Sequence, residues 1–222
     1  MGFSLKYDNA SICLSNLGFL CSDRVKCRQV LIPKRKKHLK KILNEVLPDD
    51  KIELLFYDEA FFRRESSVTR GWYPRGSKSE IKCPMTFEKV GTCGAVNPRN
   101  GSLYSLTFDG FDSDTFIYYL KWLLTVFKTQ KKIVIVLDNA SPHRSYKTKE
   151  FVAKNKKRLE LLYLPPYSPD LNPIERVWKN LRYYVTHNIY FETLEALENA
   201  IINYLKEHIK PNERLRSLCC NI

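Results

Sequence analysis

Ile133-Val134-Ile135-Val136-Leu137-Asp138 is the run on which the reading of the fold turns. Four β-branched residues and a leucine follow one another with no polar break, as in a strand buried on both faces of a parallel sheet. The carboxylate at its end is the first polar residue after it. Downstream, Ser145 to Lys157 reads as a charged helix and Leu161 to Leu164 as a further short strand. Upstream, Ile52 to Tyr57 is almost continuously apolar and reads as a second central strand, closed by Asp58. Phe87 to Val96 and Ser102 to Phe108 flank Asn97-Pro98-Arg99-Asn100-Gly101, whose turn residues predict a hairpin. Asp112 to Phe127 has helical spacing through Phe116, Leu120, Leu123, Leu124 and Phe127. Pro173 to Thr186 sets Ile174, Val177, Trp178 and Leu181 on one helical face, and Leu194 to Ile209 is a last amphipathic helix. A strand, a hairpin and then alternating helices and strands make an α/β domain with a mixed sheet.

At 222 residues the chain suits one full-sized core plus an appendage, with the boundary near Asp49. Residues 1–48 are expected to form a short basic helical appendage and 49–222 the main domain. The net charge of +13 favours a polyanionic partner, and the basic residues are clustered. Arg24 to Lys41 holds nine Lys or Arg and no acid; Arg144 to Arg158 holds seven against the single Glu150. Within the first cluster, Lys34, Arg35, Lys36 and Lys37 are the expected nucleic-acid contacts, although such a run also has the look of a nuclear import signal. The seven cysteines include no C-x-x-C, and no His pair has zinc-finger spacing, so reduced thiols are expected in place of structural zinc. No apolar run approaches the ~18 residues of a membrane span, and the N-terminus does not read as a signal peptide. A soluble intracellular protein is expected.

Asp58 and Asp138 each close a strand. If those strands are parallel neighbours, both carboxylates emerge beyond the carboxyl ends of the sheet, where open α/β sheets place ligands. Taken singly, each reads better as a turn or helix-cap residue. Glu175 also has a structural reading, since Asn172-Pro173-Ile174-Glu175 fits a capping box with Asn172 as N-cap, and Glu175 could pair with Lys179 one turn on. Together the three acids could hold one or two hard divalent cations such as Mg²⁺, and beside a charge of +13 that suggests phosphodiester chemistry on nucleic acid.

Tyr163-Leu164-Pro165-Pro166-Tyr167-Ser168-Pro169-Asp170-Leu171-Asn172-Pro173-Ile174-Glu175, followed by Trp178, resembles the third-carboxylate motif of the Tc/mariner superfamily of DDE transposases. Leu137-Asp138-Asn139-Ala140 with His143 is similar to the second-Asp motif. Tyr57-Asp58-Glu59, followed by Gly71-Trp72-Tyr73-Pro74-Arg75-Gly76, is similar to the first. The 36 residues between Asp138 and Glu175 resemble the spacing of the bacterial and archaeal insertion-sequence branch. The resemblance runs from about residue 50 to 205.

It implies an RNase H-like fold, a mixed five-stranded sheet flanked by helices, with an Asp-Asp-Glu triad at Asp58, Asp138 and Glu175. It further implies two Mg²⁺ ions (Mn²⁺ as substitute), cleavage of double-stranded DNA at transposon ends, strand transfer into target DNA, and insertion at TA dinucleotides. A homodimer and a nucleoid-associated cytoplasmic location go with that reading. Asn139 and His143 would orient Asp138 or contact a phosphate, though His143 reads equally as a surface histidine. Glu59 reads as a neighbour of the site or an exposed residue, and Trp178 as packing. Relatives carry helix-turn-helix units before the catalytic domain, whereas here about 20 residues precede the basic stretch, with Leu14 to Phe19 resembling the tail of a recognition helix. Three readings stay open: a transposase catalytic domain, with a DNA-binding segment supplied separately or lost; a general RNase H-like nuclease; and a non-catalytic DNA-binding remnant.

Overall fold

The computed structural model describes residues 37, 40–41, 44, 46, 48–65, 67–69, 80–82, 85–127, 131–166, 168 and 171–219. Strand β1, Ile52–Arg63, is the spine of the sheet. It pairs antiparallel with β2 (Lys89–Val96), which pairs antiparallel with β3 (Leu103–Phe108). On its other side β1 pairs parallel with β4 (Lys132–Leu137), and β4 pairs parallel with β5 (Leu159–Tyr163). The order is β3-β2-β1-β4-β5, a mixed five-stranded sheet as the pattern of runs predicts.

Alternation along β1 divides the core in two. Leu55 and Tyr57 face helix α1 (Ser113–Val126), which buries Phe116, Tyr119, Leu120 and Leu123. Asp112 caps α1 with a complete capping box, which fixes where that helix begins. The short α2 (Ser141–Arg144) and then α3 (Tyr146–Lys154) follow β4, and Phe151 and Val152 of α3 pack on the same side. Leu54, Phe56, Ala60 and Phe62 face the opposite layer, made by α4 (Ile174–Leu181), α5 (Leu194–Glu207) and α6 (Glu213–Cys219). Ile133 to Leu137 is buried throughout, because helices cover both faces of β4. No described helix is long and apolar enough to cross a membrane.

The hairpin turn forms as expected, and Gly101 adopts φ 73°, where an added Cβ would come within 2.1 Å of the Asn212 carbonyl oxygen. Three expectations need correction. First, β1 does not stop at Tyr57 but runs on to Arg63, because β2 continues to pair with it after β4 has ended. Asp58 therefore lies within a strand, at the point where parallel pairing gives out. Second, the helix expected over Pro173 to Thr186 is α-helical only to Leu181; Arg182–Thr186 forms a π-helical turn. Third, the capping box at Asn172 does not form. The helix starts from Pro173 without a side-chain cap, and the Asn172 amide donates across the core to the Tyr57 carbonyl at 3.0 Å.

Described residues 37, 40, 41, 44 and 46 are helical. Arg99 donates to the carbonyls of Val46, Asp49 and Ile52, which ties the start of β1 to the hairpin. Leu14 to Phe19, Lys34, Arg35, Lys36 and Gly71 to Gly76 lie outside the described residues; Lys37 is exposed.

Candidate active site

β1 and β4 pair in register from Ile52 with Lys132 to Phe56 with Val136. Carrying that register two residues further sets Asp58 level with Asp138, on strands that lie ~4.8 Å apart. Two carboxylates so placed are what the open end of a parallel pair offers a ligand. Glu175, on the first turn of α4, completes the set. Asp58, Asp138 and Glu175 line one cavity of about 440 Å³, walled by Asn139, Ala140, Leu164, Pro165, Pro166, Ser168 and Asn172. The proline-rich segment supplies much of that wall, where its fixed φ values allow little play.

Each acid is held differently. Asp58 accepts a hydrogen bond from the Trp178 indole N–H at Oδ2, 3.2 Å away. Trp178 reaches it because Gly94 stands opposite Asp58 on β2; a Cβ there would sit 3.0 Å from the Trp178 ring. Burial, reinforced by the charges of Glu175, Glu59 and Asp138, pushes the Asp58 carboxyl up to about 8.

Asp138 is half-exposed and held below the usual carboxylate range, first by its hydrogen bond to His143. His143 is 1% exposed and lies between two acids, its Nδ1 2.8 Å from Asp138 Oδ1 and its Nε2 2.9 Å from Glu59 Oε1. Burial alone would lower its pKa, but the two carboxylates more than reverse this and push it up to about 9. At neutral pH it is an imidazolium that donates to both. Tyr57 donates to the same Glu59 oxygen at 2.9 Å, and Tyr163 donates to the His143 carbonyl at 2.9 Å. The ring is clamped by Tyr57 and Phe116, with centroids 5.5 and 4.5 Å away.

Glu175 makes no side-chain hydrogen bond or ion pair among the described residues, so the expected pairing with Lys179 does not form. Both of its oxygens are available to a ligand.

The surface reading of His143 is thereby corrected: the residue is buried and bonded to Asp138. Asn139 has a different part, since its amide donates to the Leu164 carbonyl and ties the end of β4 to the proline-rich segment. Trp178 packs as expected, but its bond to Asp58 is legible only in three dimensions, as are the parts of Tyr57 and Tyr163. The sequence signal for Trp178 was its place one turn after Glu175, on the buried face of the same helix.

As they stand, no three of the described His, Cys, Asp or Glu side chains are close enough to share an ion. The donor chemistry nevertheless suits a hard divalent cation: three carboxylates line one cavity, and the pressure on Asp58 comes partly from the other acids. The Oδ1 of Asn172, in the same cavity wall, is buried without a partner and adds a neutral oxygen.

The described domain can be set beside known proteins. Residues 53–198 match the model of a family described as DDE superfamily endonuclease. The insertion element IS630 uncharacterized 39 kDa protein of Shigella sonnei is 30% identical over 135 residues, 60% of this chain and 39% of that protein. The transposable element Tc3 transposase of Caenorhabditis elegans is 37% identical over 82 residues, 36% of this chain and 24% of that protein. The chain thus spans well under two thirds of either relative's length. Among solved structures, the mariner Mos1 paired end complex with Mg superposes with a TM-score of 0.64 at 14% identity, covering 85% of this chain and 59% of that one. The Mos1 mariner transposase catalytic domain gives 0.57 at 13% identity, covering 85% and 89%. The shared fold is RNase H-like.

Proposed function

Since the chain belongs to the DDE superfamily endonuclease family, we propose that it is a transposase catalytic domain that cuts DNA and joins the freed ends to target DNA, with Asp58, Asp138 and Glu175 as its catalytic carboxylates. The observation that carries this reading is the gathering of those three acids, from two strands and a helix, into one cavity at the edge of an RNase H-like sheet. The nuclease and remnant readings have no observation of their own in their favour.

In the first step a water oxygen forms a bond to phosphorus, the bond to the 3′-oxygen breaks, and that oxygen leaves with a proton as a 3′-hydroxyl. In the second step this hydroxyl attacks a phosphodiester of target DNA in the same way. Asp58, Asp138 and Glu175 would hold two Mg²⁺ ions, which when bound supply Lewis-acid activation of the attacking oxygen and charge stabilisation of the leaving one. Mn²⁺ would substitute, and the Mos1 complexes described with Mg and with Mn support such use in this fold.

The chain's own residues prepare the site. The His143 imidazolium keeps Asp138 ionised and fixes its direction. The Trp178 N–H orients Asp58, and Glu175 presents an unengaged carboxylate. Asn139 holds the proline-rich wall against β4. Double-stranded DNA is the proposed substrate, with Lys34, Arg35, Lys36 and Lys37 as backbone contacts on a basic appendage over residues 1–48. The paired-end Mos1 complexes support pairing of two copies on two DNA ends.

The reading is tested by measuring nicking of a duplex carrying the element's own ends, in Mg²⁺ or Mn²⁺, by wild type and by Asp58→Asn, Asp138→Asn and Glu175→Gln. Loss of metal-dependent nicking in all three, with folding retained, is expected. Wild-type rates in all three would exclude the triad.

A further inference from the structure

A second cavity, of about 330 Å³, lies further along β1 and is lined by Phe61, Phe62, Arg63, Glu65, Ser67, Arg182, Thr186 and His187. Trp178 connects it to the catalytic cavity. Trp178, which bonds Asp58, meets the Phe62 ring edge-on at 6.3 Å, and the Arg182 guanidinium lies 5.1 Å from the centroid of Phe62. Asp58 and Phe62 point to one side of β1, four residues and so roughly 13 Å apart, about four base steps of B-form DNA.

The chemistry of this cavity is that of a phosphate site. Arg182 has no side-chain hydrogen bond or ion pair among the described residues, and its flat ion rests on the Phe62 face. Arg63 is 67% exposed at the rim, where its ion pair to Glu65 is a loose 3.8 Å contact open to solvent. Ser67 and His187 add donors that suit phosphate oxygens, while the Thr186 hydroxyl donates to the Arg182 carbonyl within the turn. Glu65 is the one acid in the lining, an exposed side chain at the rim that Arg63 pairs with only loosely.

The cavity is also built firmly. Arg182–Thr186 is the π-helical turn, a departure from the α-helix that recurs at functional sites. Ser67 and His187 form a β-bridge, and Asn188 takes the left-handed conformation with φ 58°. From there the Asn188 side chain accepts from the Thr69 N–H at 2.9 Å and donates to its hydroxyl at 3.2 Å. Arg64 donates to the carbonyls of Phe191 and Glu192 and pairs with Glu88, which pins the end of β1 beside the cavity.

We propose that this cavity is a DNA-backbone subsite, in which Arg182, with His187 and Ser67, grips a phosphate a few nucleotides from the bond being cut. The inference rests on the DNA-cutting reading and assigns a location to part of its substrate. It gives the π-helical turn a purpose: the turn follows the helix that carries Glu175, so one element registers the strand in both cavities.

The test uses the full chain, a fluorescein-labelled random-sequence duplex and anisotropy over a KCl series in EDTA, with Mg²⁺-dependent nicking of element-end DNA measured in parallel. Arg182→Gln should flatten the log–log salt dependence by about 0.9, the equivalent of one phosphate left unneutralised, and Arg182→Lys should restore it. Ser67→Glu, which leaves the Phe62–Arg182 contact intact, should weaken binding several-fold at low salt. Lys121→Gln, an exposed charge on α1 in the opposite layer, should leave the slope unchanged. An unchanged slope in Arg182→Gln, or an equal flattening in Lys121→Gln, overturns the subsite. If wild type nicks while the Arg182 and Ser67 variants bind like wild type, the subsite alone falls. If wild type neither binds nor nicks, the DNA-cutting reading falls with it.

Discussion

Replacing Asp58 by asparagine should stabilise the metal-free protein while destroying its activity, and the size of the gain follows from its burial and from the acids crowded around it. In the folded chain the Asp58 carboxyl is pushed up from 3.8 to about 8, by burial first and by Glu175, Glu59 and Asp138 after it. Between those two values the unfolded chain has released the proton and the folded chain keeps it. Wild-type stability is therefore unpenalised below ~3.8, falls as pH rises, and bears the full penalty above about 8. At 1.36 kcal/mol for each pH unit the ceiling is ~5–6 kcal/mol. Because the side chain is partly open to water, ~2–3 kcal/mol is the reasonable expectation.

Asparagine has nearly the same shape, can still accept from the Trp178 indole, and carries no charge. For a chain of this size the gain corresponds to a melting temperature higher by roughly 5–10 °C. The assay is calorimetry of both proteins in EDTA at pH 8 and pH 5. At pH 5 the difference should shrink below ~1 kcal/mol, since there the wild-type carboxyl is protonated when folded. Adding Mg²⁺ at pH 8 should then raise the wild-type melting temperature and leave the variant nearly unmoved. An Asp58→Asn protein no more stable than wild type at pH 8 would refute the argument, because neither burial nor the neighbouring acids would then be penalising the Asp58 charge.

Glu175→Gln removes no cap or ion pair and relieves part of the pressure on Asp58, so in EDTA at pH 8 it should be as stable as wild type or more so, and it should abolish metal-dependent nicking; calorimetry and a nicking assay on one preparation check both. Trp178→Phe keeps the buried ring and removes the N–H, so nicking should need several-fold more Mg²⁺ while the maximal rate falls less; a Mg²⁺ titration that superposes on wild type would count against the bond to Asp58. His143→Gln should cost ~1–3 kcal/mol at pH 7, because Glu59 and half-exposed Asp138 lose the cation between them. That cost should fade as pH rises through about 9, where the wild-type imidazolium is lost, and chemical denaturation at pH 7 and pH 10 measures the difference. Replacing Lys34, Arg35, Lys36 and Lys37 together by alanine should flatten the salt dependence of DNA binding, as read by anisotropy, by roughly 0.9 for each phosphate these side chains neutralise.

Local pattern along the chain was enough for the elements. The β-branched run to Leu137 and the apolar run from Ile52 could satisfy their surroundings only as central strands. The turn from Asn97 to Gly101 made a hairpin, and the spacing of Ile174, Val177, Trp178 and Leu181 chose the buried face of the helix bearing Glu175. The long proline-rich motif added a family resemblance that periodicity could not. Partners distant in the chain settled the rest. The length of β1 was set by β2, which goes on pairing after β4 stops, so Asp58 sits inside a strand. Asn172 gave up the capping role that its sequence suggests because the Tyr57 carbonyl, 115 residues away, needed its amide. His143 became a buried cation only where Asp138 and Glu59 meet around it, and Trp178 touched Asp58 only because Gly94 left the space. Hydrogen bonds and charge pressure act over a few ångströms regardless of separation along the chain, and folding alone sets those distances.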